Sequence, residues 1–457
     1  MKVLLINPPI REWAAPNCVP LGLAYLASVL REAGHEVGVL DINAFRYTKE
    51  QVEDKLQSLQ YDIVGTGGIV TTAKYITWLV AAIKKYRPAA KIILGGGVST
   101  SIPELILANT QADIACIGEG EITIVEIVNA ISKNDNLGNV AGIYYKGEDG
   151  KIIKKPARKP IADLDAIPLP AYDLFPMDIY VNNPVGHINK NKWADGKQVE
   201  SGVPKSTNIN VTRGCPYKCI FCYHDFMGAG YRHHSPEYVL KEMRFLNEHY
   251  GVTYFIWADD ESMINRRFID DFCGLMRKEK PGFQFCFAGR VNLVDKEVLQ
   301  NLKEVGCNMV GYGIESGSQK MLDLMKKNVT VEQTKNAIKL TREVFGEVGG
   351  TFVLGLPGET KETIRETVGF CKDIDFIPEA IFFATAYPGT ELYDYALKKG
   401  LIQNEFEYIC KLWEQGEQIL VNFTHWSNEE LFEIREDMIK ELKAWNTKRH
   451  TKMEKIA

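Results

Sequence analysis

Three cysteines, Cys215, Cys219 and Cys222, stand close together in the stretch TRGCPYKCIFCYHDF at residues 212–226. Thiolates at such spacing are soft ligands for zinc or for iron–sulfur clusters. A structural zinc site takes four protein ligands, and this stretch offers three thiols. No second CxxC or HxxxH pair lies elsewhere at a usual spacing. Three thiolates suit a cubane iron–sulfur cluster, whose remaining iron then keeps an open position for an exchangeable ligand. The competing reading is a zinc knuckle completed by His224, His233 or His234.

A loop that carries such chemistry must be held by the elements around it. From residue 206 onward, apolar strand-like runs recur at 208–212, 254–259, 284–290, 309–315, 350–356 and 380–386. A helical pattern follows each of the first five. Six βα units are too few for a closed eight-stranded barrel and predict a partial (β/α)6 barrel. The cysteines follow the first of these strands, at the carboxyl end where barrel active sites gather. Residues 391–457 read as a small, charged helical region with a Lys-rich end.

The first part of the chain alternates strand-like runs (2–7, 36–41, 62–66, 91–94, 112–117) with amphipathic helices. This α/β pattern predicts a doubly wound, Rossmann-like parallel sheet whose ligand crevice lies outside the carboxyl ends of the strands. The loops there contain Pro8 and Pro9; Gly67, Thr71 and Thr72; Gly95, Gly96, Gly97 and Ser99; and Gly118, Glu119 and Gly120. They carry little side-chain bulk, so a large ligand can approach the backbone. Residues 140–155 predict a hairpin turning at Glu148-Asp149-Gly150. The Pro- and Asn-rich stretch after it reads as a linker. The domain plan is therefore 1–145, a linker at 146–205, a core at 206–390 and a tail at 391–457.

The 457 residues carry a net charge of −5, which gives no general attraction to nucleic acid. The ten cysteines are mostly scattered, as expected of a reducing, cytoplasmic protein. The sequence contains no signal-peptide pattern and no apolar run of bilayer length. An oxygen-poor setting follows if the cysteines hold a cluster.

CxxxCxxC in the first loop of a (β/α)6 chain resembles the radical S-adenosylmethionine (SAM) superfamily. The resemblance implies a 4Fe–4S cluster on Cys215, Cys219 and Cys222, with the amino and carboxylate groups of SAM on the open iron. An electron from the cluster then cleaves SAM to methionine and a 5′-deoxyadenosyl radical. It also implies site roles. Phe221 would touch adenine through its backbone. The group Asp259, Asp260 and Glu261 would hold the SAM amino group; ADDE stands here where the family commonly has Gly-Gly-Glu. Arg290 would meet the SAM carboxylate, and Glu315 the ribose or amino group. Val353 and Gly355 in TFVLGLPGET would pack on adenine. Pro388 in AYPGTELYD matches a sixth-strand turn of one branch. The plainer reading of 259–261 is an acidic helix start, favoured by the helix dipole.

That branch commonly carries an N-terminal cobalamin-binding domain. INPP, the three glycines at 95–97 and IGEGE resemble it, which implies cobalamin against the loops named above. One departure is clear: the first loop, NPPIREWAAPNCVPLG, lacks the Asp-x-His-x-x-Gly motif. The cobalt is therefore expected to have no histidine of the protein as its lower axial ligand, which eases reduction to cob(I)alamin. The implied reaction is C-methylation. One SAM methylates cob(I)alamin, a second yields the radical that removes hydrogen from an unactivated carbon, and that carbon takes the methyl group. A cyclase or oxidative rearrangement, as in anaerobic magnesium-protoporphyrin monomethyl ester cyclase, is the alternative. A non-catalytic cobalamin-sensing module is another. A reductant such as ferredoxin or flavodoxin would act as partner. Tyr223, His224, Tyr231 and His233 are the candidate substrate contacts, and a tetrapyrrole, a lipid, a small natural product or a protein residue would each be compatible.

Overall fold

A computed structural model describes residues 1–10, 15–183, 203–223, 230–414 and 418–454. In the first sheet β1 (Lys2–Asn7), β2 (Glu36–Asp41), β3 (Ile63–Gly67), β4 (Lys91–Gly95) and β5 (Ile114–Cys116) run parallel, in the order β2-β1-β3-β4-β5. Every residue of β3 is buried, as a sheet covered on both faces requires. This is the flavodoxin-type doubly wound order, and its connection reverses between β1 and β3. The expected hairpin forms from β6 (Ile143–Lys146) and β7 (Ile152–Lys154). It adds two antiparallel strands to the same sheet. The first sheet thus continues past residue 145, into part of the expected linker.

The second sheet contains β8 (Ser206–Ile209), β11 (Tyr254–Trp257), β12 (Gln284–Gly289), β13 (Cys307–Glu315), β14 (Gly349–Leu354) and β15 (Ala380–Phe383). They are parallel and follow one another in chain order, so the sheet is an open partial barrel. Between β8 and β11 lies a two-residue antiparallel pair, β9 (Thr212–Arg213) and β10 (Arg232–His233). The amphipathic helix Arg266–Glu279 shows how the outer layer is fixed. Asn265 caps it by accepting from the Phe268 amide, and Phe268, Ile269, Phe272, Cys273 and Met276 are buried. Phe272 meets Trp257 edge-on at 5.2 Å between ring centroids, and Trp257 stacks on Phe285 at 5.0 Å. Among the described residues no helix is long and apolar enough to cross a membrane.

The stretch after the hairpin is a strap bonded to both sheets. The Ala171 amide donates to Ala24 O at 3.0 Å. The Tyr180 hydroxyl donates to Asp41 Oδ2 at 2.6 Å, and the Tyr172 hydroxyl to Glu242 Oε1 at 2.5 Å. Asn208, on β8, hydrogen-bonds both the amide and the carbonyl of Val19, at 2.7 and 3.0 Å. One apolar core therefore contains Tyr25 of the first domain, Tyr172 of the strap and Phe255 of the partial barrel. At the other end, Tyr408, Ile409 and Leu412 share a core with Ile76 and Leu79, and Trp413 stacks on Tyr75 at 6.2 Å. The C-terminal helices thus close over the first domain.

Glu242 is buried at the joint, and burial pushes its carboxyl from 4.5 up to about 7, against the lowering effect of the Tyr172 hydroxyl. A folded-state pKa above the unfolded value favours the protonated fold. That stabilisation is complete below pH 4.5 and is lost as pH rises through about 7, a change of roughly 3 kcal/mol. Glu242→Gln removes the titration and keeps an acceptor for Tyr172. Thermal melts of this variant should lose less Tm between about pH 5 and about pH 8 than the parent does. Equal losses would contradict the assignment.

Candidate functional site

The cysteine loop leaves β9 and returns at β10, whose register places Arg232 opposite Arg213 and His233 opposite Thr212. Its middle is pinned by two backbone bonds: the Ile220 amide donates to Met325 O at 3.0 Å, and the Leu392 amide to Ile220 O at 2.9 Å. Cys219 is buried, Cys215 half-buried and Cys222 exposed. Enough protein surrounds Cys222 to push its thiol up to about 12, with Cys219 and Cys215 adding to the rise. Thiols crowded in this way lose their protons together only when a metal takes up the charge, so the donor set suits an iron–sulfur cluster. Arg290 Nη1 lies 3.8 Å from Cys219 Sγ, and its guanidinium sits 3.5 Å from the centre of the Tyr217 ring. The structure thus places Arg290 beside the cysteines, where a cation favours thiolate.

The three acids after β11 separate into three tasks. Asp259 Oδ1 accepts from the amides of Val211 and Thr212, at 2.8 and 3.0 Å, and from Asn210 Nδ2 at 3.1 Å; Oδ2 accepts from the Ser262 hydroxyl at 2.9 Å. Its carboxylate shapes the entry to the cysteine loop. Asp260 accepts from the Gly214 amide at 3.0 Å. Glu261 is buried, with one hydrogen bond, from the Met263 amide at 3.2 Å. Burial pushes its carboxyl up to about 7, opposed by that amide and by the charges of Arg290 and Lys327. Of the three, Glu261 alone keeps unspent acceptor capacity in a dry place near the cysteines.

Glu315 ends β13 with φ 69°, a left-handed backbone at a register irregularity. Its carboxylate folds back over the strand, where a Cβ on Gly313 would stand 2.3 Å from Glu315 Oε1. It meets Lys327 Nζ at 3.1 Å, and both side chains are buried. Lys327 escaped the sequence reading because a Lys-Lys pair after a short helix resembles surface. The signal was the backbone: Lys326 and Asn328 on either side are left-handed, with φ 53° and 55°. The Lys327 carbonyl also accepts from Arg290.

Phe221 and Val353 come together in one small apolar cluster with Met321, Met325 and Leu356. Gly355 turns the chain after β14 with φ 87°. Pro388 is buried in the turn after β15, and the neighbouring Gly389 admits the Tyr223 ring: a Cβ there would stand 2.4 Å from Tyr223 Cε2. His224 lies outside the described residues. His233 Nε2 is 3.0 Å from Asn265 Nδ2 and its ring packs on Phe268 at 4.7 Å, with Tyr231 at 6.0 Å. His234 pairs with Asp165 at 3.0 Å, and burial lowers its pKa to about 4. His233 and His234 are thus held by Asn265 and Phe268 and by Asp165.

In the first domain several expected ligand positions hold the backbone together. A Cβ on Gly67 would stand 2.0 Å from Gly95 O, and one on Gly96 2.8 Å from Gly68 O. Gly96 and Gly97 begin a short helix, Gly96–Ser101, where an open loop was expected. Thr72 and Ser99 donate their hydroxyls to Ile69 O and Leu94 O, at 2.7 and 3.1 Å; Thr71 is buried beside them. Gly118 donates its amide to Thr100 Oγ1 at 3.0 Å, and Gly120 packs on Leu26. Glu119 is spent: Oε1 takes Arg213 and Arg232, and Oε2 takes the Ile161 amide. Pro8 and Pro9 are buried, whereas Ile10, Phe45, Ile69 and Ile122, on segments after β1, β2, β3 and β5, are exposed large hydrophobics. Such a rim suits the face of a large ring. His35 precedes β2, at the opposite edge, with its ring on Asn129 at 3.1 Å.

The sequence pattern of the radical SAM superfamily matches residues 209–371, and that of the B12 binding domain matches residues 10–128. An uncharacterized methyltransferase of Pyrococcus horikoshii is 34% identical over 409 residues, which cover 88% of this chain and 84% of that one. The anaerobic magnesium-protoporphyrin IX monomethyl ester cyclase of Rubrivivax gelatinosus is 30% identical, over 82% of this chain and 66% of its own. The solved structure of the radical SAM methyltransferase TsrM from Kitasatospora setae shares the fold, with a TM-score of 0.70 at 20% identity, over 88% of this chain and 75% of that one. The chain belongs to the radical SAM superfamily, in the branch that carries a B12-binding domain. It is a cobalamin-dependent radical SAM enzyme, and its cofactors are a 4Fe–4S cluster, SAM and cobalamin.

The Glu315–Lys327 pair makes a direct prediction. Lys327→Met leaves a buried carboxylate without its counter-ion and should cost roughly 3–5 kcal/mol in urea unfolding of the cluster-free protein. The double variant Glu315→Gln with Lys327→Met should recover most of that loss. A double variant no more stable than Lys327→Met would show that the two groups are not coupled.

Proposed function

We propose that the enzyme is a C-methyltransferase, moving a methyl group from SAM by way of cobalamin to an unactivated carbon. The observation that carries this reading is the direct bonding of Arg213, two residues before Cys215, to Glu119 and Glu121 in the segment after β5. It brings the cysteine loop and the cobalamin-side loops to one joint. The methyltransferase name of the 34% identical relative agrees with it. Residues 1–145 with the hairpin would hold cobalamin, 206–390 the cluster and SAM, and 391–457 would help exclude water.

Bound, these cofactors would supply a carbon-centred radical and a transferable methyl group. The chain's share is positioning. Cys215, Cys219 and Cys222 hold the cluster. Glu261 accepts from the SAM amino group, Phe221, Val353 and Gly355 border adenine, and Lys327 with Arg290 supplies positive charge for the carboxylate. Tyr223, packed on Gly389, is the candidate substrate contact that directly follows the last cysteine. The apolar rim of Ile10, Ile69 and Ile122 would take the corrin face, without a lower ligand from a histidine of the protein.

Radical cyclisation is the second reading, favoured by the 30% identity to the Rubrivivax gelatinosus cyclase. Mass spectrometry separates the two: the methyltransferase adds one methyl to its product, whereas a cyclase removes hydrogens. Cys219→Ala should abolish release of 5′-deoxyadenosine from SAM. Release at the parent's rate would remove the cluster from the mechanism.

A further inference from the structure

Beside Glu119 the cysteine loop is closed in an unusual way. Its two ends meet in the β9–β10 pair, which has only two residues on each strand. A pair this short is marginal in water. Its register also sets one arginine opposite the other, Arg213 against Arg232, and like charges across a strand pair repel. Both side chains are largely buried, so solvent screens that repulsion poorly.

The neutralising charge comes from the other domain. Glu119 Oε1 accepts from Arg213 Nη1 at 3.2 Å and from Arg232 Nη1 at 2.7 Å. Its Oε2 accepts from the Ile161 amide at 2.6 Å, and the Ile161 carbonyl accepts from Arg232 at 2.7 Å, so the strap is fastened at the same point. Glu121 balances the charges: its Oε1 takes Arg213 Nη2 at 2.7 Å. The Arg213 guanidinium also lies 5.2 Å from the centre of the Tyr25 ring.

We propose that Glu119 is the positioning residue that closes the neck of the cysteine loop, so that retention of the cluster depends on docking of the cobalamin-binding domain. The proposal rests on the cluster and not on whether the reaction is methylation or cyclisation. Glu119→Gln removes the charge that the two arginines share, while Glu121 stays on Arg213. Glu121 touches only one side of the neck, so Glu121→Gln should do much less.

Two measurements test this. In the cluster-free protein, amide hydrogen exchange reads the neck directly, because the His234 amide donates across it to Val211 O at 3.0 Å. In the reconstituted protein, an iron chelator reads retention of the cluster. Glu119→Gln should speed exchange at His234 and release of iron by about tenfold, with the amides of β1 and β12 still protected. Glu121→Gln should stay near the parent. Iron release at the parent's rate from folded Glu119→Gln overturns the proposal. So do equal effects of the two substitutions, which would mark a general loss of buried charge. Where Glu119→Gln alone does not fold, the charge-balanced Glu119→Gln with Arg232→Gln decides the question. It should fold and still release iron several-fold faster than the parent; release at the parent's rate overturns the proposal.

Discussion

A cluster held by three thiolates needs a loop that keeps its cysteines in place while one iron stays open, and a long excursion of chain cannot do this from within. Among the described residues, several fixed points of the cysteine loop come from elsewhere. Asp259 gathers three donors at its entry, and Asp260 takes the Gly214 amide. Met325 and Leu392 hold its middle. Glu119, from the other domain, lies on its neck. These groups follow different strands, so the described part of the loop takes its contacts from both domains.

Docking has the same character at larger scale. A single apolar core runs from Tyr25 through Tyr172 to Phe255, so the two sheets and the strap are not independent bodies joined by a tether. A buried ion cluster contributes little net stability to such a joint, since desolvation offsets its Coulomb energy. It contributes register instead: an apolar interface tolerates sliding, whereas two carboxylates and two guanidiniums with fixed partners do not. Radical chemistry between cofactors held by two domains needs that register.

Much of the fold was legible because strand periodicity is local. The bounds of β1 and β2 follow from KVLLIN and EVGVLD as read. The first core strand is displaced, at Ser206–Ile209 and not 208–212, because Asp259 draws the backbone of 211 and 212 out of the sheet. The triplet of cysteines was legible because its spacing is itself the chemistry. Glu119, Gly67 and Gly96 were read as ligand contacts, and their protein partners were not legible because only the fold brings those partners near. The same holds for Lys327, whose counter-ion Glu315 folds back from the end of another strand. Local pattern located the crevice, whereas the side chains within it were decided by contacts over long sequence separation.

The account stands on an open iron that SAM occupies. Pulsed electron paramagnetic resonance of the reduced cluster with SAM carrying 15N in its amino group measures this directly. The account predicts a 15N hyperfine coupling that appears with labelled SAM and is absent without it. A reduced cluster with no such coupling, or one carrying a nitrogen of the protein as fourth ligand, would contradict it.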